Sequence, residues 1–459
     1  MTPPLPLLTS TDKMMAGLTK KLYKYILLAV LLVVAGNTAK AYSILAHEAV
    51  IDASWRSDIV PLLKKKYPSA TYDELLLAHS YAYGGSIVAD MGYMPFGNGF
   101  FTDLVHYVRS GDFIETLISE SQNLNEYAFS LGALSHYMAD KYGHSLSTNR
   151  NVPIVYPKLK KKFGDVVTYD DDHTSHSRME FAYDVLQVGQ GNYTSEAYRD
   201  FIGFNMAVPV LERAFYKTYG QKLNTIFSNI NSSINMMRWG VRNLFPALTK
   251  NAYKANRAEI EEMHPGITVK KFRYKMSRRA FNLQYGKERK HGNFFSKLAA
   301  GFISILPKIG PLKTLNFKSP GEEGQRLFAE SFEAIVKNYK SSLNDVDNGR
   351  LVLPDIDFDT GHDTHIGEYP LADKTWAKLV ETLQKQGFKH LNPPLQQSIA
   401  SFYNASGTPD IYRDKPEYWA KLSTALQQMK AMQPIAQADT QPGDSIQQNG
   451  KTDTPSSTN

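Results

Sequence analysis

Three potential metal-ligating side chains recur at every fourth residue in the segment LGALSHYMADKYGHS, and they are His136, Asp140 and His144. Four residues advance an α-helix by slightly more than one turn, so the three side chains form one row along a helix face. Imidazole and carboxylate groups are ligands that zinc-like cations prefer. The row is about 12 Å long, which is too long for one ion. A central carboxylate, however, can place one oxygen on each of two ions, as multinuclear sites that cleave phosphodiesters require.

The residues around this row are apolar on the flanking side, where Leu131, Leu134 and Met138 lie. The row is therefore expected at the edge of a hydrophobic core, where unpaired polar groups are costly. An i,i+4 His–Asp pair on its own is more often a surface hydrogen bond, so further ligands are needed to support a metal site.

Further ligand types occur elsewhere in the chain. Asp90 lies in GGSIVADMGYMP, where paired glycines allow close backbone approach, and His106 lies in FFTDLVHYV. His176 and Glu180 are spaced i,i+4 in HSRME, which gives a second ligand pair on one helix face. His173 competes with His176, but only His176 has a carboxylate four residues later.

The N-terminal 41 residues have the pattern of a signal peptide. Three lysines precede an apolar run from Ile26 to Ala35, and Ala39-Lys40-Ala41 has the small-x-small form of a cleavage site. The run is short for a membrane span; an uncleaved anchor is the alternative. We expect an exported protein, periplasmic or extracellular, that begins at Tyr42. The new terminus would offer an amine and a carbonyl five residues before His47.

Composition restricts the chemistry of any metal site. The chain has 459 residues, of which 42% are hydrophobic, and no cysteine, so disulfides and thiolate zinc sites are excluded. The net charge is +7 for the whole chain. Metal ligands must therefore come from His, Asp, Glu or backbone groups.

These blocks resemble the zinc-dependent phospholipases C, whose superfamily includes the fungal single-strand-specific nucleases and the catalytic domain of glycosylphosphatidylinositol-specific phospholipase D. The matching residues occur in the family's order between residues 42 and 190, and they are Tyr42, His47, Asp90, His106, His136, Asp140, His144, His176 and Glu180. The four-residue spacing from Asp140 to His144 looks more like the phospholipase D branch than like the secreted bacterial phospholipases C.

The resemblance implies three zinc ions. The first would be held by His106, His136 and Asp140, with Asp90 close by, and the second by His144, His176 and Glu180. The third would use the backbone amine and carbonyl of mature Tyr42, together with His47 and the other oxygen of Asp140. Asp90 resembles the family's catalytic aspartate, which orients or deprotonates the attacking water or ligates zinc. The usual residue at the N-terminus in the family is Trp rather than Tyr.

The periodicity of apolar residues predicts an all-α protein. Five regions are expected: a signal peptide at 1–41, a catalytic domain at 42–250, a basic amphipathic segment at 251–320, a further helical region at 321–433 and a disordered tail at 434–459. Predicted helices include Tyr72–Tyr83, Asn125–Tyr142, Ser177–Val188, Ser195–Tyr219, Glu323–Leu343 and Leu371–Gln386. An Asp- and Gly-rich stretch, Leu353–Glu368, separates the last two. The motif DTGHDTHIGEY in this stretch suggests an additional candidate metal site, with less support from the sequence, at His362, His365 and Glu368.

The segment Lys270–Lys318 contains 13 Lys or Arg residues, opposed only by Glu288. An apolar stripe that includes Phe294, Leu298 and Phe302 is typical of a helix lying in a membrane interface, and the lysines favour anionic lipid. A helix closing the core and a site for nucleic acid backbone are the alternatives.

The leading hypothesis is an exported, zinc-dependent phosphodiesterase of the phospholipase C type that hydrolyses glycerophospholipids. Two others remain open: a zinc-dependent single-strand nuclease or nucleotidase, and a non-catalytic membrane-binding protein with structural metals.

Overall fold

The computed structural model describes residues 44–94, 96–190, 204–239, 318–404 and 407–434, with only the backbone for 185–190. Its helices up to the candidate ligand row and just beyond it are α1 Ile44–Ser54, α2 Val60–Lys66, α3 Tyr72–Ser86, α4 Gly99–Tyr107, α5 Ser110–Ser119, α6 Leu124–Gly143, α7 Asn149–Val155 and α8 Pro157–Phe163. Those that follow are α9 His173–Gln190, α10 Val208–Tyr219, α11 Leu223–Ile226, α12 Ile230–Trp239, α13 Gly321–Asp347, α14 Pro370–Lys385, α15 Pro393–Phe402 and α16 Pro416–Ala431. The described residues form no β-strand and one isolated antiparallel bridge, between Ile356 and Asp363. The all-α prediction is confirmed.

Helix α6 packs against α1, α3, α5 and α13 and carries His136 and Asp140 of the ligand row. It begins after Asn123, whose side chain accepts a hydrogen bond from the backbone N–H of Glu126. Buried residues occur on all its sides because α3 and α13 cover it from different directions. At Gly143 the helix passes into a π-turn over His144–Thr148, so the last member of the row starts that turn.

Glycines bring the backbones of α3 and α6 into direct contact. A Cβ atom on Gly85 would lie 1.9 Å from the carbonyl oxygen of Phe129, and one on Gly132 would lie 2.0 Å from that of Ala82. Only glycine permits such an approach. The close packing sets the end of α3, including Ser86, against the ligand row.

The C-terminal region shares one hydrophobic core with the N-terminal helices. Helix α13 packs along α6, and the Tyr339 hydroxyl donates a hydrogen bond to the Leu131 carbonyl oxygen at 2.9 Å. Between α13 and α14 the chain forms an irregular segment, residues 353–369, which we call the strap. The strap crosses the end of α4 and the start of α5, where Ser110 Oγ donates to the Ile356 carbonyl at 2.6 Å.

Most of the predicted helices in the described ranges are confirmed with small shifts at their ends. The exception is Ser195–Tyr219, because Phe204–Ala207 are not helical and α10 begins at Val208. Pro209 occupies the first turn of α10, where its missing N–H costs nothing, and this marks a start that periodicity alone did not show. The predicted signal peptide, Tyr42, residues 251–317 of the basic segment and the tail from residue 435 lie outside the described residues.

Within the described ranges, no helix combines the length and the apolar character needed to cross a lipid bilayer.

Candidate metal centre

Asp140 lies at the middle of a cluster of imidazoles and is fully buried. Its Oδ2 lies 3.0 Å from Nε2 of His136 and 3.4 Å from Nε2 of His106. Its Oδ1 lies 3.5 Å from Nε2 of His47 and 3.9 Å from Nε2 of His144. The two oxygens thus face different pairs of histidines, which is the arrangement that a carboxylate shared between two cations requires.

Asp90 stands on the other side of the same cluster. Its Oδ1 lies 3.6 Å from Nε2 of His106, and its Oδ2 lies 4.0 Å from Nε2 of His47. It is held by a 3₁₀ turn, Val88–Tyr93, which follows the glycine-rich end of α3. Asp90 is therefore the second buried carboxylate in contact with the histidines.

Two sets of donors are close enough to share an ion. The donor atoms of His106, His136 and Asp140 lie within 4.8 Å of one another, and so do those of His47, Asp90 and His136. Among the described residues, the Asp90 and Asp140 oxygens and His136 Nε2 are buried without a well-formed hydrogen bond. Buried polar atoms are normally paired, so these atoms fit a cation that would occupy the space between them.

A neighbouring group lies one turn further along the row. His144 Nε2 and His176 Nδ1 each lie 3.2 Å from Oε1 of Glu180, and the two imidazole rings meet edge to face. Both His176 and Glu180 come from α9, at the i,i+4 spacing noted in the sequence. By contrast, His173 packs its ring against Tyr169.

The second ring nitrogens of the histidines are tied to the surrounding backbone and side chains. Nδ1 of His106 donates to the Thr102 carbonyl at 2.9 Å, and Nδ1 of His136 donates to the Ser86 carbonyl at 2.8 Å. A carbonyl can only accept, so Nδ1 carries a proton in both rings. In the neutral imidazole, Nε2 is then a lone-pair donor that faces the carboxylates, as a metal ligand should.

The electrostatics of the cluster show that it is built for positive charge. Burial alone would raise the pKa of Asp140, but His136 and His144 outweigh it and hold that pKa well below its usual range. Burial lowers the pKa of His106, yet the adjacent carboxylates of Asp140 and Asp90 raise it to about 10. Burial raises the pKa of Asp90 to about 6. The pKa values of His136 and His144 are raised as well despite burial, mainly by the charge of Asp140, whereas burial and the neighbouring imidazoles lower the pKa of His47 well below its usual value.

The structure therefore brings together eight of the nine residues that the sequence selected. They are His47, Asp90, His106, His136, Asp140, His144, His176 and Glu180, all buried. The ninth, Tyr42, lies outside the described residues. The additional candidate site in DTGHDTHIGEY lies on the strap. His362 is exposed and its Nδ1 lies 3.2 Å from Oε1 of Glu368, and His365 is exposed as well.

Asn149 and Asp359 were not selected from the sequence, and their side chains face candidate ligands. Asn149 places its Oδ1 2.9 Å from His176 Nε2. Asp359, from the strap, places its Oδ1 3.5 Å from His144 Nδ1. For Asp359, the sequence does contain a signal of burial: Asp355, Asp357 and Asp359 alternate with apolar residues, which is unusual for a solvated loop.

An all-helical domain with a buried cluster of histidines and carboxylates is the class of protein that this fold and site define. Residues 46–229, which are less than half of the chain, match the family model described as zinc dependent phospholipase C, and this match supports a relation of the segment to that family. The match contains all eight described candidate ligands. No curated protein and no solved structure matches the chain.

Proposed function

We propose that this protein is an exported, zinc-dependent phosphodiesterase that hydrolyses glycerophospholipids in the phospholipase C sense. The observation that carries the proposal is Asp140, whose two oxygens face different pairs of imidazoles while Asp90 lies beside them. The family of residues 46–229 supports zinc as the metal and phospholipid as the substrate class.

Three zinc ions are proposed. The first two would be held by His106, His136 and Asp140, and by His144, His176 and Glu180. The third would be held by His47, the other Asp140 oxygen and the backbone of a mature N-terminus at Tyr42. The mutual proximity of its three donors supports the first set, and the 3.2 Å distances from Glu180 to His144 and to His176 support the second. The 3.5 Å distance from His47 Nε2 to Asp140 Oδ1 supports the third.

Bound zinc would lower the pKa of a coordinated water and offset the negative charge of a phosphoryl group. The residues of the chain supply position. Asp90 would orient the attacking water and accept its proton, since its carboxylate lies between His47 and His106 without being fixed by a well-formed hydrogen bond. Asp140 would hold the two neighbouring cations at a fixed separation. Little other protein chemistry is needed, because phosphoryl transfer depends mainly on positioning and electrostatics.

The test is product analysis by mass spectrometry. Zinc-loaded protein beginning at Tyr42 is incubated with vesicles of mixed phosphatidylcholine, phosphatidylethanolamine and phosphatidylglycerol and with single-stranded DNA, with and without chelator. We expect chelator-sensitive diacylglycerol. Phosphatidic acid as the product would show cleavage of the phospholipase D type instead. Nucleotides with intact lipid would show a nuclease. The absence of any product would refute the proposed enzymatic activity.

Two matched variants locate the reaction. Asp90→Asn should lower the rate by about 10²–10⁴-fold, the range for loss of a general base. Asp73→Asn makes the same chemical change at an exposed position in the first turn of α3 and should leave the rate within about twofold. Equal rates in the two variants would exclude Asp90 from catalysis.

Export and membrane contact are also part of the proposal. N-terminal sequencing of the exported protein should begin at Tyr42, and a chain that keeps its first residues would contradict the signal peptide. Neutralising Lys270, Lys271, Arg278 and Arg279 should weaken binding to anionic vesicles more than to neutral ones. Unchanged binding would rule out the basic segment as the membrane contact.

A further inference from the structure

The strap reaches the candidate metal centre from outside the segment that matches the family. The backbone N–H of Phe358 donates to the His106 carbonyl at 3.2 Å, and its ring packs against the rings of His106 and His136. At Gly361 the chain adopts a positive φ of 77°, and a Cβ there would lie 2.9 Å from the Lys141 carbonyl oxygen. A region more than a hundred residues beyond the family match is thus seated directly on the ligand row.

Asp359 is fixed at the point where the strap passes His144. Its Oδ2 accepts hydrogen bonds from the hydroxyls of Tyr107 at 2.9 Å and Tyr369 at 2.5 Å. Its backbone carbonyl accepts from Asn149 Nδ2 at 2.6 Å. Asp359 is only 3% exposed. These donors come from three separate elements and leave Oδ1 directed at Nδ1 of His144, 3.5 Å away.

The two nitrogens of His144 face opposite carboxylates. Nε2 faces Glu180 and Asp140, the side on which the proposed second cation would bind, while Nδ1 faces Asp359. A histidine that binds zinc through one nitrogen commonly donates the other N–H to a carboxylate, which fixes the ring and makes the ligating nitrogen more basic. The corresponding partners of His106 and His136 are neutral carbonyls.

We propose that Asp359 is a positioning residue that holds His144 in the orientation and tautomer needed to bind the second cation. The strap would then complete a metal centre whose candidate ligands lie in the family segment. This inference rests on the proposed function, because it requires the His144 group to bind zinc.

Zinc affinity of the purified full-length protein tests the proposal. Bound zinc is counted by elemental analysis, and affinity is measured by competition with a chromophoric chelator in the wild type, Asp359→Asn and Asp359→Ala. We expect one zinc equivalent to bind about 10–100-fold more weakly in Asp359→Ala. Asp359→Asn keeps an acceptor for the His144 N–H, so its loss should be smaller. The absorption spectrum of the cobalt-substituted protein should change for the same equivalent.

A matched control separates positioning from damage to the strap. Asp355 lies in the same segment and accepts the backbone N–H of Asp112 at 3.0 Å, and no contact of its carboxylate with a candidate ligand is seen in the described part of the chain. Asp355→Asn should therefore leave all zinc affinities unchanged. If Asp359→Ala binds every zinc equivalent like the wild type, or if Asp355→Asn weakens zinc as much as Asp359→Ala does, the positioning role is overturned.

Failure of the inference and failure of the proposed function give different results. If the wild type binds no zinc, or if Asp140→Asn retains all of it, the proposed metal centre is wrong and the inference falls with it. If Asp140→Asn loses zinc and both Asp359 variants keep it, only the inference is wrong. Should neither Asp359 variant fold, Tyr107→Phe removes one hydroxyl that anchors Asp359. A weaker zinc equivalent in Tyr107→Phe supports the proposal, and unchanged affinity overturns it.

Discussion

Replacing Asp140 by Asn should abolish most of the stabilisation that zinc gives to this protein. The substitution keeps the shape of the side chain but replaces one oxygen by an amide NH₂, which cannot ligate a cation. Oδ1 faces His47 and His144 while Oδ2 faces His106 and His136. The lost oxygen therefore removes a ligand from one ion position, and the lost negative charge weakens both.

The magnitude follows from linkage between binding and folding. A site at a zinc concentration one hundredfold above its Kd adds about 2.7 kcal/mol to the free energy of unfolding. If both adjoining sites weaken at least one hundredfold, zinc-dependent stabilisation falls by about 5 kcal/mol. In a protein larger than a small domain, a change of about 1 kcal/mol in the free energy of unfolding shifts Tm by about 2 °C. The zinc-induced rise in Tm should therefore shrink by about 10 °C.

The assay compares Tm with zinc and with chelator in each variant, so that any cost of Asn to the metal-free fold cancels. Ser130→Ala is the control on the same helix. Ser130 is buried and donates to the Leu117 carbonyl at 2.8 Å, so its loss should cost about 1 kcal/mol in zinc and in chelator alike. A zinc-induced rise in Asp140→Asn equal to that of the wild type would refute the bridging role.

Three further perturbations test other parts of the structure. Burial raises the pKa of Asp355 to about 6, above its ordinary 3.8. The folded state therefore binds the Asp355 proton more tightly than the unfolded state does. The free energy of unfolding falls by about 3 kcal/mol as the pH rises from about 4 to 6 and this advantage is lost. Asp355→Asn should flatten this decline in urea titrations of the metal-free protein, and a parallel pH profile would contradict the assignment. Gly361→Ala should lower the free energy of unfolding, measured by urea denaturation, more than Gly349→Ala does. Both glycines have positive φ, where an added side chain costs about 1 kcal/mol. Only at Gly361 would the new methyl group also lie 2.9 Å from a backbone oxygen. Equal costs would disprove the close contact of the strap. Asn149→Ala removes the partner of His176 Nε2 and should weaken one zinc equivalent by about tenfold in chelator competition, whereas wild-type affinity would argue against that hydrogen bond.

The candidate site could be selected from the sequence because helix geometry is local. The spacing of His136, Asp140 and His144, and that of His176 and Glu180, fixes which side chains share a helix face wherever the helices lie. The fold class followed from the same periodicity. The residues of the strap could not be selected in this way, because Asp359 has no periodic relation to His144 and meets it only after α13 packs on α6.

The ends of the helices also differ in how well the sequence predicts them, depending on whether local or tertiary contacts set them. The pattern predicted Asn125–Tyr142 and the structure has Leu124–Gly143, since Asn123 provides a local cap. Periodicity carried the prediction at Ser195–Tyr219 across the non-helical residues Phe204–Ala207. There, Asn205 donates its backbone N–H to the Ser80 carbonyl of α3, a contact that depends on the tertiary fold.

By itself, the sequence determined the types of the candidate ligands, their helical faces and the exclusion of thiolate chemistry, because these depend on residue identity and on short-range backbone geometry. Only the tertiary structure decided how the candidate ligands are grouped: which oxygen of Asp140 faces which histidines, and which carboxylate reaches the second nitrogen of His144. Those relations join α1, α4, α6, α9 and the strap, and they depend on long-range packing such as the Gly85–Phe129 backbone contact, which no local pattern encodes.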